Sequence, residues 1–385
     1  MPKNYTSEEL IERAQRETGL STFDSDSFRE GLDIYIADYN TNERSDEFNE
    51  GNAAYVVKSL SDRLRLADYI RQRPEVLNEK IERPVFVLGM PRTGTTLLNN
   101  LLAADPHRRS ALSWEIEMPV PPPTTATLYS DPRCLAMLDA ERKMLEANPD
   151  MGKYYRFSAV YPNECVFIMM HDFKGLLWEG RGKLPNYRDW LFSDVSNMAT
   201  AYEYHKKFLQ VHQADAPGIW NLKLPSHSLW IDTLLQSYPD ARLVWIHRDP
   251  LTATGSYCSL MRLSANNAVG HADLEWIGQN MPWQIVQHAE RAMDVRARIG
   301  HDRIIDVHYA DLMRDPMPAL RKLYEQLGDA WRPETEAGIQ TWIDANPQGK
   351  FGRHEYKLAE FGLDAQDMRK RFSRYLAEYD VEPEG

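Results

Sequence analysis

The chain has 385 residues, of which 45 are Lys or Arg and 57 are Asp or Glu, giving a formal net charge of −12. An acidic chain is repelled by nucleic acid and by anionic membrane, which argues against either polymer as a partner. Three scattered cysteines, Cys134, Cys165 and Cys258, lack any C-x-x-C spacing. They argue against a disulfide framework and a zinc site, and for a reducing, cytoplasmic location.

Taken in chain order, the first twenty residues, MPKNYTSEELIERAQRETGL, are polar and have no apolar core of the secretory kind. No run of about eighteen apolar residues spans a bilayer, so a peripheral membrane contact is the most that is expected. Ser7, followed by Glu8, Glu9 and the periodic Leu10, Ile11 and Ala14, predicts a helix start. The acidic segment 22–50, sparse in large apolar side chains, predicts a surface crossing. Residues 55–72 place Val57, Leu60, Leu64 and Ile70 at helical spacing.

At Pro84 the pattern changes. Residues 85–88, VFVL, form a short continuous apolar run, the signature of a strand buried on both faces. Ile219–Leu224, Leu243–His247 and Ile304–Val307 repeat it, each followed by a turn signal and a helical stretch. Strands alternating with helices predict a parallel sheet covered on both sides. Asp249-Pro250 and Asp315-Pro316 fit an N-cap aspartate with proline at the first helical position, and Gly328 fits a C-terminal cap. The expected architecture is α/β: a P-loop-like three-layer core over 84–330, with helical flanks over 1–83 and 331–385, integrated into one domain.

Residues 85–96, VFVLGMPRTGTT, run a buried strand into a tight loop and a helix. Backbone N–H groups at such a helix start cradle anions. The Gly89-x4-Gly94 spacing matches a Walker A loop, but Thr95 stands where the triphosphate-binding lysine belongs. Arg92 supplies a cation inside the loop instead, and Thr95 and Thr96 supply hydroxyls. This suits a single 5′-phosphate carrying another anionic group. Further on, LVWIHRDPLTATGS puts Arg248 just past the carboxyl end of a buried strand, where ligands bind in open α/β sheets, and Ser256 about two turns into the next helix. Arginine suits bidentate phosphate recognition.

Together the two elements resemble the sulfotransferases that use 3′-phosphoadenosine 5′-phosphosulfate (PAPS). PRTGTT of residues 91–96 is similar to that superfamily's phosphosulfate loop, nearest to its PRxGTT branch, which includes tyrosylprotein sulfotransferases and bacterial small-molecule enzymes. The resemblance implies that Arg92, Thr93, Gly94, Thr95 and Thr96 hold the 5′-phosphosulfate, and that Arg248 and Ser256 hold the 3′-phosphate. It covers 84–310 clearly. It implies a small hydroxylated acceptor and no metal. Within the enzymes the alternative is a kinase-like P-loop phosphotransferase, and outside them a non-catalytic nucleotide-binding protein on the same fold. A homodimer is compatible with either.

Sulfuryl transfer to an alcohol needs a base for the acceptor proton and cations for the charge on the transferring group. Glu115, in SALSWEIEMPVPPP, is the best match to the branch's glutamate base, and Glu117 points the same way if the segment is extended. His227, in KLPSHSLW, is the alternative base. Lys223, at the end of the strand IWNLKL, is the electrophilic candidate. The resemblance implies that Arg353, in the basic, glycine-containing KFGRHEYK, adds to the 3′-phosphate site. The aromatic and Met-rich segment 151–192, with Met169, Met170, Phe173, Leu176, Leu177 and Trp178, is a candidate wall for an apolar acceptor such as a steroid, lipid alcohol or phenol, and is equally readable as core.

Overall fold

The computed structural model describes residues 4–147, 158–347 and 357–384. Helix α1 spans Ser7–Thr18 and is opened by Thr6, whose hydroxyl and Glu9 form a reciprocal capping box. Helix α2 spans Arg29–Tyr39 and helix α3 spans Asp46–Gln72. The expectation that 22–50 only crosses the surface is corrected here. Leu32, Tyr35, Ile36 and Tyr39 of α2 are buried, four side chains within two turns that an averaged acidic composition hides.

Five parallel strands make the sheet: β1 (Val85–Gly89), β2 (Arg108–Arg109), β3 (Ile219–Lys223), β4 (Arg242–His247) and β5 (Ile304–His308), in the order β2-β3-β1-β4-β5. Val87 is in register with Lys223 on one side and Val244 on the other. The apolar runs of β1 and β4 alternate between two layers. Val85, Val87, Val244 and Ile246 face helix α4 (Thr95–Ala103) through Leu98, Leu101 and Leu102, together with Leu320 and Leu323. Phe86, Leu88, Leu243 and Trp245 face the larger layer, which also takes in Leu10 and Leu60 of the amino-terminal helices and Phe372 and Tyr375 near the far end. Burial on both faces is why these strands read as continuous apolar runs.

The order places β1 at a switch point: the chain leaves it towards β3 on one side and returns to β4 on the other. Ligands of open α/β sheets bind at the carboxyl edge beside such a point. Asp249 caps the helix Pro250–Val269 and Asp315 caps Pro316–Leu327, which ends at Gly328 in the left-handed conformation, as the local signals predict. Among the described residues, no helix is long and apolar enough to cross a membrane.

Candidate active site

The loop between β1 and α4 is shaped by two glycines. Gly89 has φ +146°, and a Cβ there would lie 2.9 Å from the Ile246 carbonyl oxygen. Gly94 has φ +98°, and its Cβ would meet the Tyr309 ring at 2.4 Å. Only glycine fits both the backbone and the space. Arg92 also sits in the left-handed region, at φ 69°, a strained conformation for a residue with a Cβ and one that clusters at ligand sites. The Thr93 hydroxyl donates to the Met90 carbonyl at 2.8 Å and ties the loop to itself. Gly94 gives α4 no side-chain cap, so the first N–H groups of that helix keep the positive end of its dipole uncovered by a side chain. Thr95 is buried, whereas Thr96 is exposed at the helix start. Ser228 donates to the Gly89 carbonyl at 3.2 Å and braces the loop from β3's side.

Three cations come to this edge from three adjacent strands. Lys223 ends β3, and its Nζ lies 3.2 Å from the Thr96 hydroxyl and 2.5 Å from Glu164 Oε1. Arg92 follows β1, and its Nε donates to the Ser256 hydroxyl at 2.9 Å. Arg248 follows β4, donates from Nη1 to the Arg92 carbonyl at 3.0 Å, and lies over the Tyr309 ring at 4.2 Å. The structure therefore brings Arg92, Arg248 and Ser256 into one bonded group, joining the loop expected for one phosphate to the pair expected for the other. Behind Arg248, His247 is fixed by Tyr375 at 3.0 Å and Asp306 at 2.8 Å. Against burial, which alone would raise it, the hydrogen bonds and charges of His247 and Arg296 hold the Asp306 carboxyl down at about 2.

The two expected bases lie elsewhere. Glu115 has no exposed surface. Its Oε2 accepts from Arg109 Nη1 at 2.9 Å and from the Leu112 N–H at 3.0 Å, and its Oε1 is held by Arg109 Nη2. The segment 113–117 is helical rather than extended (helix α5, Ser113–Glu117), so Glu117 turns away and pairs with Lys58. His227 is also fully buried. It bonds Tyr202 through Nδ1 at 2.9 Å and packs edge-on to Phe86, in the layer across the sheet from α4. Burial, with His205 nearby, holds its pKa well below the ordinary imidazole value. Neither Glu115 nor His227, the two bases expected from the sequence, has a side chain open to solvent.

Glu164, which the sequence reading missed, does reach that edge. The Cys165 N–H bonds the Lys223 carbonyl at 2.9 Å, which seats the preceding residue beside the lysine head. The Glu164 side chain keeps 28% exposure while Lys223 has 2%. No strand or turn signature in YPNECVF marks it. Within the aromatic segment, Met169, Met170, Phe173 and Trp178 are core side chains, with Phe173 and Trp178 stacked at 4.7 Å. Arg353 lies outside the described residues.

The chain matches the sequence model of the sulfotransferase family over residues 84–333. It is 26% identical over 257 residues to omega-hydroxy-beta-dihydromenaquinone-9 sulfotransferase Stf3 of Mycobacterium bovis and of Mycobacterium tuberculosis, a match covering 64% of this chain and 62% of those relatives. Its structure superposes on sulfotransferase STF9 of Mycobacterium avium with a TM-score of 0.91 and 41% identity, over 99% of this chain and 98% of that one. Sulfotransferase STF1 of Mycobacterium tuberculosis gives 0.85 and 28%, over 97% and 100%. With its family model matched from β1 past β5 and its fold shared from end to end, the chain belongs to the sulfotransferase family.

Proposed function

We propose that the protein moves a sulfuryl group from PAPS to the hydroxyl of a small, apolar acceptor. The observation that carries this is the line of Lys223, Arg92 and Arg248 along the carboxyl ends of β3, β1 and β4, with Thr96 and Ser256 between them. PAPS would supply the sulfuryl group already attached to a phosphate, a leaving group that cations can hold. The α4 N-terminus with the hydroxyls of Thr95 and Thr96 suits the 5′-phosphosulfate. Arg248 and Ser256 suit the 3′-phosphate, and Arg92 spans the two. Thr93 serves by holding the loop, since its hydroxyl is already bonded to Met90.

Glu164 takes the place of the expected bases. Its partly exposed carboxylate pairs with the lysine that reaches Thr96, so one acidic group can accept the acceptor's proton while the adjacent ammonium offsets charge on the sulfuryl oxygens. The acceptor class rests on the substrate in the name of Stf3, omega-hydroxy-beta-dihydromenaquinone-9, and on the family. A PAPS-coupled mass-spectrometric screen over lipid alcohols, steroids and phenols tests the reading. A sulfated product from any of these supports it. Tight binding of ATP–Mg²⁺ with no response to 3′-phosphoadenosine 5′-phosphate would instead favour a phosphotransferase.

A further inference from the structure

The arginine assigned to the 3′-phosphate is already engaged by an anion from the chain itself. Glu384 meets Arg248 fork to fork, Oε1 to Nε at 2.6 Å and Oε2 to Nη2 at 2.7 Å. This is the geometry with which arginine takes a phosphate. The contact is built into the fold by the helix Ser373–Tyr379. Tyr375 bonds His247 at 3.0 Å, and the Tyr379 ring stacks on the His247 ring at 4.2 Å, so the end of that helix is pinned beside the residue preceding Arg248. Asp380 then turns the chain in the left-handed conformation, with φ 43°. The segment that follows carries Glu382 and Glu384, and Glu382 faces Arg314 at 3.8 Å. Asp380–Glu384 forms one wall of a cavity of about 410 Å³, and Arg248, His308 and Tyr309 form part of the other.

Geometry and charge agree on what this segment does. A carboxylate is a weaker and singly charged counterpart of a phosphate monoester, so it satisfies the arginine in the absence of nucleotide and is outcompeted by a group with more oxygens and more charge. Glu384 also stays partly exposed, at 36% of its side-chain surface, so it can leave without breaching the core.

We propose that Asp380–Glu384 is a built-in competitor for the 3′-phosphate, with Glu384 closing the nucleotide site until the bisphosphate moiety displaces it. This rests on Arg248 being the 3′-phosphate arginine. Binding to a site that is open only a fraction of the time weakens by that fraction. Removing the competing carboxylate therefore tightens nucleotide binding, whereas loss of a mere structural strut would leave it unchanged or weaken it.

Calorimetric titration of the full chain with 3′-phosphoadenosine 5′-phosphate separates these outcomes. Glu384→Gln is expected to bind about tenfold more tightly than wild type if the segment is closed about nine-tenths of the time. Glu382→Gln, which leaves the Arg248 contact intact, is expected to change little. Unchanged or weaker binding by Glu384→Gln would overturn the proposal. Arg248→Ala is measured alongside. If it binds as tightly as wild type, the phosphate assignment of Arg248 itself has failed, and that failure is distinguishable from failure of the competitor. As a second readout, cleavage after Glu384 by a glutamate-specific protease, read by mass spectrometry, should rise when the bisphosphate saturates the protein, and should not rise with adenosine.

Discussion

Two acid–base pairs lie at neighbouring corners of the sheet, and they are built for opposite ends. Arg109 and Glu115, beside β2, expose 4% and 0% of their side chains, and the carboxylate is taken by two guanidinium nitrogens and a backbone N–H. Lys223 and Glu164, beside β3, expose 2% and 28%, and the lysine also reaches the hydroxyl of the phosphate-loop helix. The first pair is sealed on every side and fastens the short strand to the helix after it. The second is sealed only behind the lysine. A carboxylate can take a proton from a substrate only if an oxygen faces the place where the substrate sits. Sequence position favours Glu115 for the chemistry, and exposure favours Glu164.

The largest effect that separates the corners is on stability. Arg109→Ala strands Glu115 in the interior, and loss of one partner of a buried pair costs about 3–5 kcal/mol. Chemical denaturation should show that loss, while the double change Arg109→Met with Glu115→Leu should recover part of it, because two apolar groups leave no charge unpaired. Recovery of nothing would mean that the pair carries more than its mutual contact. At the other corner, Lys223→Ala should leave the fold intact and lower turnover by about 10²–10³-fold, the usual cost of removing one charge-stabilising group. Next in size, Arg248→Ala should weaken binding of the bisphosphate by about 10–100-fold, as for loss of hydrogen bonds to a charged group.

A smaller effect tests the burial of a carboxyl held by an amide. Glu179 is buried, accepts from Asn280 at 2.5 Å, and burial raises its pKa to about 7. Its folded pKa lies above its unfolded one, so its contribution is present below the unfolded value and is lost as pH rises towards 7. Glu179→Gln should therefore match wild type in thermal unfolding near pH 5 and exceed it by a few degrees, roughly, near pH 8.5. Equal Tm differences at both pH values would show that the carboxyl titrates normally.

What the sequence makes legible is what the chain encodes locally. VFVL and LVWIH read as strands because both faces of each are buried, and Asp249, Asp315 and Gly328 read as caps because capping is settled within four residues. PRTGTT reads as a tight turn from strand to helix for the same reason. Three of the misses depend on distant partners. Strand β2 is two arginines whose place is set by pairing with Ile219 and Trp220. Glu164 owes its position to a bond between Cys165 and Lys223, 58 positions on, and Glu384 owes its contact to two tyrosines, one hydrogen-bonded to and one stacked on His247 of β4. Helix α2 is hidden because its apolar face is diluted by acidic neighbours.

The comparison of the two corners is tested most directly by measuring turnover for Glu164→Gln and Glu115→Gln side by side, per folded molecule, with PAPS and an acceptor from the screen. Glu164→Gln should keep wild-type unfolding and bisphosphate binding but lose about 10²–10⁴-fold in kcat, while Glu115→Gln should lose stability and keep its kcat. A Glu115→Gln protein that folds as wild type yet turns over as poorly as that, beside an active Glu164→Gln, would contradict it.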